Sequence, residues 1–295
     1  MLGDMARIAI VGGGSIGEAL LSGLLRAGRQ AKDLVVAEKM PDRARYLAET
    51  YSVLVTSVHD AVENATFVII AVKPSDVPSV VAEISKLVAE SGDDVPDQVL
   101  ITVAAGVTTT FLESKLTAGT PVVRVMPNAP ALVGAGISAI ARGRFATNEQ
   151  LKEVAALFDS VGAVLTVPEE HLDAVTAVSG SGPAYFFLLV EALVDAAVGV
   201  GLSRSVSTEL VAQTIAGSAA MLLDRMEQDR GAPADMASDL SLDTTAARLR
   251  AIVTSPGGTT AAALQELESH GLRAAVNEAV RAAKTRSEQL RITSE

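Results

Sequence analysis

The sequence predicts an α/β domain with a mostly parallel sheet, followed by an all-α domain. Over the first part of the chain, short apolar runs rich in β-branched residues alternate with helical patterns, which is typical of parallel strands joined by crossover helices. After Pro168 the strand-like runs stop, and eight of the 11 prolines lie at or before this position. A chain of 295 residues can hold two cores. We therefore predict domains over residues 1–167 and 168–295.

Seven apolar runs of the first domain are predicted to be strands: Arg7–Val11, Leu34–Ala37, Phe67–Val72, Val99–Val103, Val122–Met126, Ile137–Ala141 and Ala163–Val167. A helix is predicted from the end of the first strand through about Ala27, and others over Pro41–Thr50, Ser75–Ala89 and Thr110–Lys115. Thr110 and Glu113 have the spacing of a capping box, which predicts that they start their helix together.

The second domain contains helical patterns over Glu169–Val178, Pro183–Val200, Ser205–Gln228, Ala246–Val253, Thr260–Ser269 and Leu272–Leu290. Pro183–Val200 is apolar on nearly every face, since only Glu191 and Asp195 are charged. One small domain cannot cover such a helix on all sides, so the pattern predicts a homodimer. The polar segment Glu227–Thr245 contains Gly231 and Pro233 and predicts a surface loop.

The composition excludes several classes of function. A net charge of −11 opposes binding to nucleic acids and to anionic membrane surfaces. The absence of cysteine excludes disulfides, thiolate nucleophiles and Cys-ligated zinc, and the three scattered histidines (His59, His171 and His270) have no metal-site spacing and are expected at the surface. The first residues do not form a basic leader with an apolar core, and runs such as Ala184–Val190 are shorter than the ~20 residues of a membrane helix. We expect a cytoplasmic protein without a metal.

The strongest local motif is Gly12-Gly13-Gly14-Ser15-Ile16-Gly17, between the first predicted strand and a helix. It fits the G-x-G-x-x-G fingerprint of a Rossmann domain, a doubly wound α/β fold that binds dinucleotides. In this motif Gly12 permits the tight turn, Gly14 lets a pyrophosphate approach the backbone, and Gly17 lets the helix pack on the strand. Free N–H groups at the helix N-terminus would hold the phosphates. The pattern therefore predicts a site for NAD(H) or NADP(H).

Charged residues after the second strand bear on the choice between these cofactors. Glu38 stands 21 residues after Gly17, where an acidic side chain can accept hydrogen bonds from the adenosine ribose, which favours NAD(H). Lys39 and Arg43 could instead pair with the 2′-phosphate of NADP(H), or form only a solvated helix start. Both interpretations of these two cations stay open.

Other strand ends meet at the same edge of a parallel sheet, where such sheets bind ligands. Ala71, Val72, Lys73 and Pro74 follow one strand, and Pro74 holds Lys73 outside helical geometry. Ala104 and Ala105 follow the predicted strand Val99–Val103 and leave space for a nicotinamide. Asn128 follows the predicted strand Val122–Met126. Asn128 could bond a ribose or an amide, or simply form a turn.

The helical domain contains two glycine-rich stretches before helices, 179–185 and 254–260. In the second stretch, glycines and two threonines stand at a helix N-terminus, which suits a small carboxylate. Thr259 or Thr260 could equally serve only to cap the helix.

Six segments in this order, GGGSIG, AVKP, AAGVT, RVMPNAP, SGSGPAY and SPGGTT, resemble the pyrroline-5-carboxylate reductase family along almost the whole chain. This resemblance implies reduction of 1-pyrroline-5-carboxylate to L-proline by NADPH or NADH, the last step of proline biosynthesis, without a metal. It also implies a Rossmann domain followed by a helical dimerisation domain, with dimers that often assemble into decamers, here five dimers.

Matching positions carry the family's site residues onto this chain. Residues Gly12–Gly17 would bind pyrophosphate, while Ala71–Pro74 and Val103–Ala105 would border the cofactor. The substrate would lie against Ser255, Gly257, Gly258, Thr259 and Thr260, with Thr260 as the active-site hydroxyl. Two departures from the family pattern are Ala129, in place of the usual threonine, and the length of Glu227–Thr245.

Two other functions remain as alternatives. A dehydrogenase of the 3-hydroxyacid type shares this layout but needs a base, commonly lysine, early in its second domain, and no lysine lies between Lys152 and Lys284. A non-catalytic nucleotide-sensing module would not explain the SPGGTT segment.

Overall fold

The structure, a computed structural model, describes residues 6–90, 98–231 and 245–292. Its first part contains one eight-stranded sheet, with strands β1 (Ile8–Val11), β2 (Leu34–Ala37), β3 (Leu54–Thr56), β4 (Phe67–Ile70), β5 (Val99–Thr102), β6 (Val122–Met126), β7 (Gly136–Arg142) and β8 (Gly162–Thr166). Their order is β3-β2-β1-β4-β5-β6-β7-β8, and every pair is parallel except β6 with β7. The sheet confirms the predicted α/β fold. β3 was not predicted.

Apolar side chains cover both faces of the sheet. On β1, Ile8 and Ile10 belong to one cluster and Ala9 and Val11 to another, as the alternation of side chains along a strand requires. All four are at most 1% exposed. A strand buried on both faces has an unbroken apolar sequence, which is the pattern that predicts these strands.

Six helices connect or flank the strands: α1 (Ser15–Arg26), α2 (Pro41–Tyr51), α3 (Val58–Val62), α4 (Val77–Glu90), α5 (Thr109–Lys115) and α6 (Asn148–Asp159). The predicted capping box at α5 is wrong. Thr108 caps this helix by accepting a hydrogen bond from the N–H of Phe111, while Glu113 accepts one from the N–H of Arg144. Thr110 lies two residues after the N-cap, inside the helix, which begins at Thr109.

The chain after β8 is helical, as predicted. It contains α7 (Leu172–Val175), α8 (Gly182–Gly199), α9 (Arg204–Gly231), α10 (Thr245–Ile252), α11 (Thr259–Ser269) and α12 (Leu272–Gln289). The predicted helix Glu169–Val178 is instead a 3-10 turn, α7 and a π-helical turn over Thr176–Gly180. Of the predicted loop Glu227–Thr245, residues 227–231 continue α9 and residues 232–244 lie outside the described part of the chain.

Contacts divide the chain into two compact units. The first contains residues 1–183 and 280–295, and the second contains residues 184–279. The predicted division after residue 167 therefore marks the end of the strands, whereas the first compact unit continues to Pro183. The last helix, α12, begins in the second unit and ends in the first.

Large apolar side chains of α8 are exposed in the single chain. Phe186, Phe187, Leu188, Leu189 and Leu193 are between 43% and 70% exposed. Two helical segments, Glu169–Gly199 and Arg204–Arg230, are long and apolar enough to cross a membrane by length and composition alone. The sequence predicts no segment of membrane length, because every unbroken apolar run is short. These two segments reach that length because a mean hydropathy over 18 residues tolerates the few charged residues between apolar runs.

Candidate functional site

The glycine loop after β1 is shaped by its own close contacts. Gly12 has φ +107°, and a Cβ there would lie 2.7 Å from the carbonyl oxygen of Ala71. A Cβ on Gly17 would lie 2.0 Å from the carbonyl oxygen of Gly12. By contrast, a Cβ on Gly14 would meet nothing within 4 Å, and Gly14 and Ser15 are exposed. The loop is thus packed on its inner side and open on its outer side, which fits the approach of a diphosphate.

The N-terminus of α1 faces this open side without a side-chain cap. Gly14 occupies the N-cap position and makes no side-chain hydrogen bond. The first N–H groups of a helix have no partner within the helix, so those of Ser15, Ile16 and Gly17 are available to an anion. Ile16 also packs against the core cluster on the α1 side of the sheet.

The predicted strand ends lie side by side along one edge of the sheet. Gly12 N–H donates to Ala37, Ala71 N–H donates to Val11, and Val103 N–H donates to Ile70. These hydrogen bonds align the chain segments that follow β2, β1, β4 and β5. The edge therefore brings together the glycine loop with Glu38, Ala71–Pro74 and Val103–Ala105.

Two predicted residues at this edge have local structural partners. Asn128 follows β6, and its side-chain oxygen accepts a hydrogen bond of 2.9 Å from the N–H of Ile137. Lys73 is exposed and extended, with φ −60° and ψ 148°, as the following Pro74 requires. The side-chain oxygen of Asn128 thus already accepts a hydrogen bond from the start of β7.

Glu38 is bound to the backbone of the glycine loop. Its Oε2 accepts a hydrogen bond of 2.9 Å from the N–H of Gly13, and its Oε1 accepts one of 2.8 Å from the N–H of Met40. Lys39 pairs with Asp76 at 2.9 Å. This hydrogen bond raises the pKa of Lys39 and lowers the pKa of Asp76.

Arg43 reaches the same loop from α2. Its Nε donates a hydrogen bond of 2.6 Å to the carbonyl oxygen of Gly13, and its Nη2 pairs with Glu18 of α1. Glu18 also accepts hydrogen bonds from Tyr51 at 2.8 Å and from Tyr46 at 3.1 Å. Burial alone would raise the pKa of Glu18, but these hydrogen bonds together lower it, so the carboxylate is charged at neutral pH. Burial and the bond to Glu18 raise the pKa of Tyr51 to about 12.

The predicted substrate segment lies in the second compact unit, at the start of α11. Gly258 holds the N-cap position without a side-chain hydrogen bond, and its own N–H donates to the carbonyl oxygen of Ser255 at 3.0 Å. Gly257 has φ +67°, which favours glycine. Thr259 and Thr260 are the first two residues of the helix, so neither is the cap that the sequence left open as an alternative. Their N–H groups point out of the helix end.

A buried ion-pair cluster in the first unit was missed by the sequence reasoning. Arg124 of β6 is 3% exposed and pairs with Glu169 at 3.3 Å and with Asp173 at 4.0 Å. Glu169 also accepts hydrogen bonds from the N–H and hydroxyl of Thr109 at 2.8 and 2.5 Å. A charged residue inside the apolar strand Val122–Met126 was the available signal, because a buried guanidinium requires a carboxylate partner.

The end of α12 completes this cluster. Ser287 donates a hydrogen bond of 2.7 Å to Asp173, and Arg291 Nε donates one of 2.5 Å to the same carboxylate. The next residue, Ile292, donates its N–H to the carbonyl oxygen of Gly106, in the loop that follows β5. Burial would raise the pKa of Asp173, but hydrogen bonds from Ser287 and Arg291 and the charge of Arg124 lower it. Residues 287–292 thus join α7 to the loop after β5.

Across the described ranges, no three His, Asp or Glu side chains come together in a way that could hold a metal ion. His59, His171 and His270 are exposed.

Comparison with known proteins decides the family. Residues 169–290 match the family model described as pyrroline-5-carboxylate reductase dimerisation, and residues 7–106 match one described as NADP oxidoreductase, coenzyme F420-dependent. The sequence is 72% identical to the pyrroline-5-carboxylate reductase of Mycobacterium tuberculosis over 295 residues, which covers 100% of both chains. The chain belongs to the pyrroline-5-carboxylate reductase family. The resemblance inferred from the six motifs is therefore confirmed.

More distant members of the pyrroline-5-carboxylate reductase family share the same fold. The enzyme of Synechocystis is 37% identical, over 96% of this chain and 98% of its own. The solved structure of the Coxiella burnetii reductase superposes with a TM-score of 0.85 at 31% identity, covering 98% of this chain and 100% of that one. The Plasmodium falciparum reductase, solved with NADP bound, has a TM-score of 0.78 at 28% identity, covering 97% and 98%. The Rossmann domain followed by a helical dimerisation region is thus a family property.

Proposed function

We propose that this protein reduces 1-pyrroline-5-carboxylate to L-proline with NADPH or NADH, as the last step of proline biosynthesis. The observation that carries the proposal is 72% identity along the full chain to a pyrroline-5-carboxylate reductase. The open side of the glycine loop supports it, because a dinucleotide needs such an approach to the backbone. NADP bound to the Plasmodium falciparum relative supports the choice of cofactor.

We assign cofactor binding to the edge of the sheet. The residues are Gly12, Gly14, Ser15, Ile16, Gly17, Glu38, Ala71, Val72, Lys73, Pro74, Val103, Ala104, Ala105 and Asn128. Within this set, the amides at the start of α1 would hold the diphosphate, and the small residues after β4 and β5 would leave room for the nicotinamide. Asn128 would contribute by holding the segment after β6 in place beside the cofactor, since its side-chain oxygen already accepts a hydrogen bond from Ile137.

We assign substrate binding to Ser255, Gly257, Gly258, Thr259 and Thr260. The N–H groups of Thr259 and Thr260 would receive the carboxylate, whereas that of Gly258 already donates to Ser255. Thr260 is the proposed catalytic residue. Its hydroxyl would donate a hydrogen bond to the imine nitrogen, which makes the imine carbon more electrophilic.

The bound nicotinamide would supply a hydride to the imine carbon, so the ring nitrogen must hold a proton in the product. A threonine hydroxyl is a weak acid, and we therefore assign Thr260 the role of orienting the imine and relaying a proton from water. Holding the carboxylate and the nitrogen at once fixes the ring, and such orientation contributes much of the rate. The proposed cofactor residues belong to the first compact unit and the proposed substrate residues to the second.

Assembly and location form part of the same proposal. The exposed apolar side chains of α8, within the region that matches the dimerisation model, support a homodimer. We further propose five dimers in a decamer, a cytoplasmic location, and no nucleic-acid or membrane partner, as the charge of −11 favours. The domain division at residues 167 and 168 is proposed on the end of the strands, and the dimerisation match begins at residue 169.

The direct test is an assay of the purified protein with 1-pyrroline-5-carboxylate and each reduced nicotinamide. We expect the absorbance of the reduced cofactor to fall and proline to appear in equal amount. Cofactor oxidation without proline would indicate another substrate. Binding of both nucleotides with no turnover would instead favour the nucleotide-sensing alternative.

A further inference from the structure

The peptide group of Gly13 is held on both sides by opposite charges. Its N–H donates to the carboxylate of Glu38 at 2.9 Å, and its carbonyl oxygen accepts from the guanidinium of Arg43 at 2.6 Å. Gly13 is buried, and a Cβ there would lie 2.4 Å from Leu47 Cδ1. Glu38, expected at the ribose, and Arg43, for which phosphate binding was one of two open interpretations, are thus both part of the wall of the glycine loop.

Arg43 is held at a second point by Glu18. The Nη2 group pairs with the Glu18 carboxylate, and the guanidinium lies 5.0 Å from the centre of the Tyr46 ring. Glu18 is itself fixed by the hydroxyls of Tyr46 and Tyr51. Side chains of Arg43 and Glu18 are 31% and 18% exposed, so the pair is partly shielded from water.

The neighbouring cation is also paired. Lys39 bonds Asp76 at 2.9 Å, with both side chains exposed. An exposed lysine pair of this kind is weak and readily exchanged. Arg43 therefore differs from Lys39, because its availability to a 2′-phosphate depends on the shielded carboxylate of Glu18. Glu18 lies on α1, outside the positions that normally bind the ribose.

We propose that Glu18 sets the choice between NADH and NADPH by holding the guanidinium of Arg43. A 2′-phosphate at this edge must take Arg43 from Glu18, whereas a 2′-hydroxyl leaves the pair intact. Glu18 thereby acts as a specificity-determining residue through Arg43, favouring NADH. This inference rests on the proposed binding of nicotinamide dinucleotides at the glycine loop.

The test measures binding in the absence of substrate, with NADPH, NADH and adenosine 2′,5′-bisphosphate as probes. Nicotinamide fluorescence reports the binding of the two reduced cofactors, and calorimetry reports the binding of the bisphosphate. Glu18→Gln keeps the shape of the side chain and an acceptor oxygen for the tyrosines but removes the charge. We expect the Kd for NADPH and for the bisphosphate to fall about three- to tenfold, within the range of partly exposed ion pairs. The Kd for NADH should not change.

Two matched variants separate the mechanism from its alternatives. Tyr51→Phe removes one hydrogen bond to Glu18 but leaves the ion pair, and should leave the NADPH to NADH ratio unchanged. In an Arg43→Gln background, Glu18→Gln should lose its effect on the ratio, because the effect passes through Arg43. If Glu18→Gln does not fold, Glu18→Asp is the second variant. Its side chain is one methylene shorter, which moves the carboxylate away from Arg43, and it should shift the ratio of NADPH to NADH affinity in the same direction.

Three results would overturn the inference: weaker NADPH binding in Glu18→Gln, an unchanged ratio, or an effect that persists without Arg43. The last would mean simple repulsion between Glu18 and the phosphate. Failure of the proposed function looks different, since the wild-type protein would then bind neither nucleotide or would leave 1-pyrroline-5-carboxylate unreduced.

Discussion

At the residue scale, the charged side chains around the glycine loop already have partners within the protein. Glu38 stands where a ribose is read, yet both of its oxygens already accept backbone N–H groups. Lys39 and Arg43, for which phosphate binding and a solvated helix start were both open, each have a carboxylate partner. Changes at these positions should therefore alter the loop as well as the contact with a cofactor.

The first prediction concerns Glu38. Glu38→Ser removes both acceptors for Gly13 and Met40 and the negative charge that opposes a 2′-phosphate. We expect kcat/KM to fall with both cofactors, because the loop is less well held, and to fall more with NADH, so that the ratio moves toward NADPH. Steady-state kinetics with both cofactors measure this.

Glu38→Gln is the matched control for this change, since it loses the charge and one acceptor but keeps the other acceptor oxygen. It should shift the ratio with a smaller loss of activity. If neither variant moves the ratio, the Glu38 side chain has no contact with the ribose and serves only the loop.

The second prediction concerns Thr260. Thr260→Ala should lower kcat by about 10²–10³, the usual effect of losing one hydrogen bond made mainly in the transition state. Cofactor affinity should stay constant, because the glycine loop is unchanged. Since Gly258 is the N-cap of α11, the variant should also keep the wild-type melting temperature.

Thr259→Ala is the neighbouring control, and we expect it to keep most of the activity. Loss of activity in Thr259→Ala or Ser255→Ala with a normal kcat in Thr260→Ala would move the catalytic assignment to another residue of the segment. A circular-dichroism melt of all three variants separates a chemical effect from a folding effect.

Motifs at this scale were predictable where backbone geometry demands one residue type, as at Gly12 and Gly17. Side-chain pairing was not, because Glu18 and Arg43 are 25 residues apart and meet only when α1 and α2 pack. Likewise, the N-cap of α11 depends on which of three neighbouring residues precedes the first helical dihedral angles, and sequence alone could not distinguish Gly258 from the two threonines.

At the element scale, ion pairs around the buried Asp173 join β6, α7 and the residues after α12. Arg124, Asp173 and Arg291 come from three distant segments, and Ile292 bonds the loop after β5. Most elements followed from their apolar periods, whereas α3, α6 and β3 were not predicted. That strand has three residues, and Leu54 is 57% exposed because it lies at the sheet edge, so its apolar pattern is weak.

The third prediction is that Asp173 stabilises the fold in a pH-dependent manner. Asp173→Asn leaves the buried Arg124 and the partly exposed Arg291 with less negative charge, and should lower the free energy of unfolding by about 2 kcal/mol at neutral pH. The folded-state pKa of Asp173 lies below the unfolded value of about 3.9. Its contribution is therefore complete above the unfolded pKa and is lost as the pH falls through the folded one.

Urea unfolding of the wild type and Asp173→Asn from about pH 7 to about pH 3 measures this difference. The gap between the two proteins should narrow as the pH falls below about 4. Asp42→Asn changes an exposed carboxylate of α2 and serves as the control. A gap that stays constant with pH would show that the carboxylate's charge has no part in stability.

At the scale of the whole molecule, we expect the exposed apolar surface of α8 to mediate assembly. Leu189 is 44% exposed in the single chain, and the nearby phenylalanine and leucine side chains of α8 are also exposed. A second copy of the chain would remove this surface from water, with a gain of roughly 25 cal/mol per Å² of apolar area. Sequence reasoning found this helix from its missing polar face, whereas the partner's contacts depend on a second chain.

The fourth prediction is that Leu189→Asp dissociates or unfolds the protein, because an unpaired charge buried between subunits is costly. Sedimentation velocity should show the wild type as a dimer or a larger assembly. The control, Ala118→Asp, adds the same charge to an exposed residue of the first unit and should keep the assembly. An active wild-type monomer would contradict this prediction.

The link between Asp173 and Arg291 has a consequence for biosynthesis of the chain. The two residues are 118 positions apart, and α8 to α11 are translated between them. At about 5–20 residues per second, the ribosome needs roughly 6–24 s to cover that distance. During this interval the strands of the sheet have all been made, but a carboxylate destined for the interior still awaits one of its cations. The nascent first unit can therefore reach its final stability only after translation of the second unit has finished.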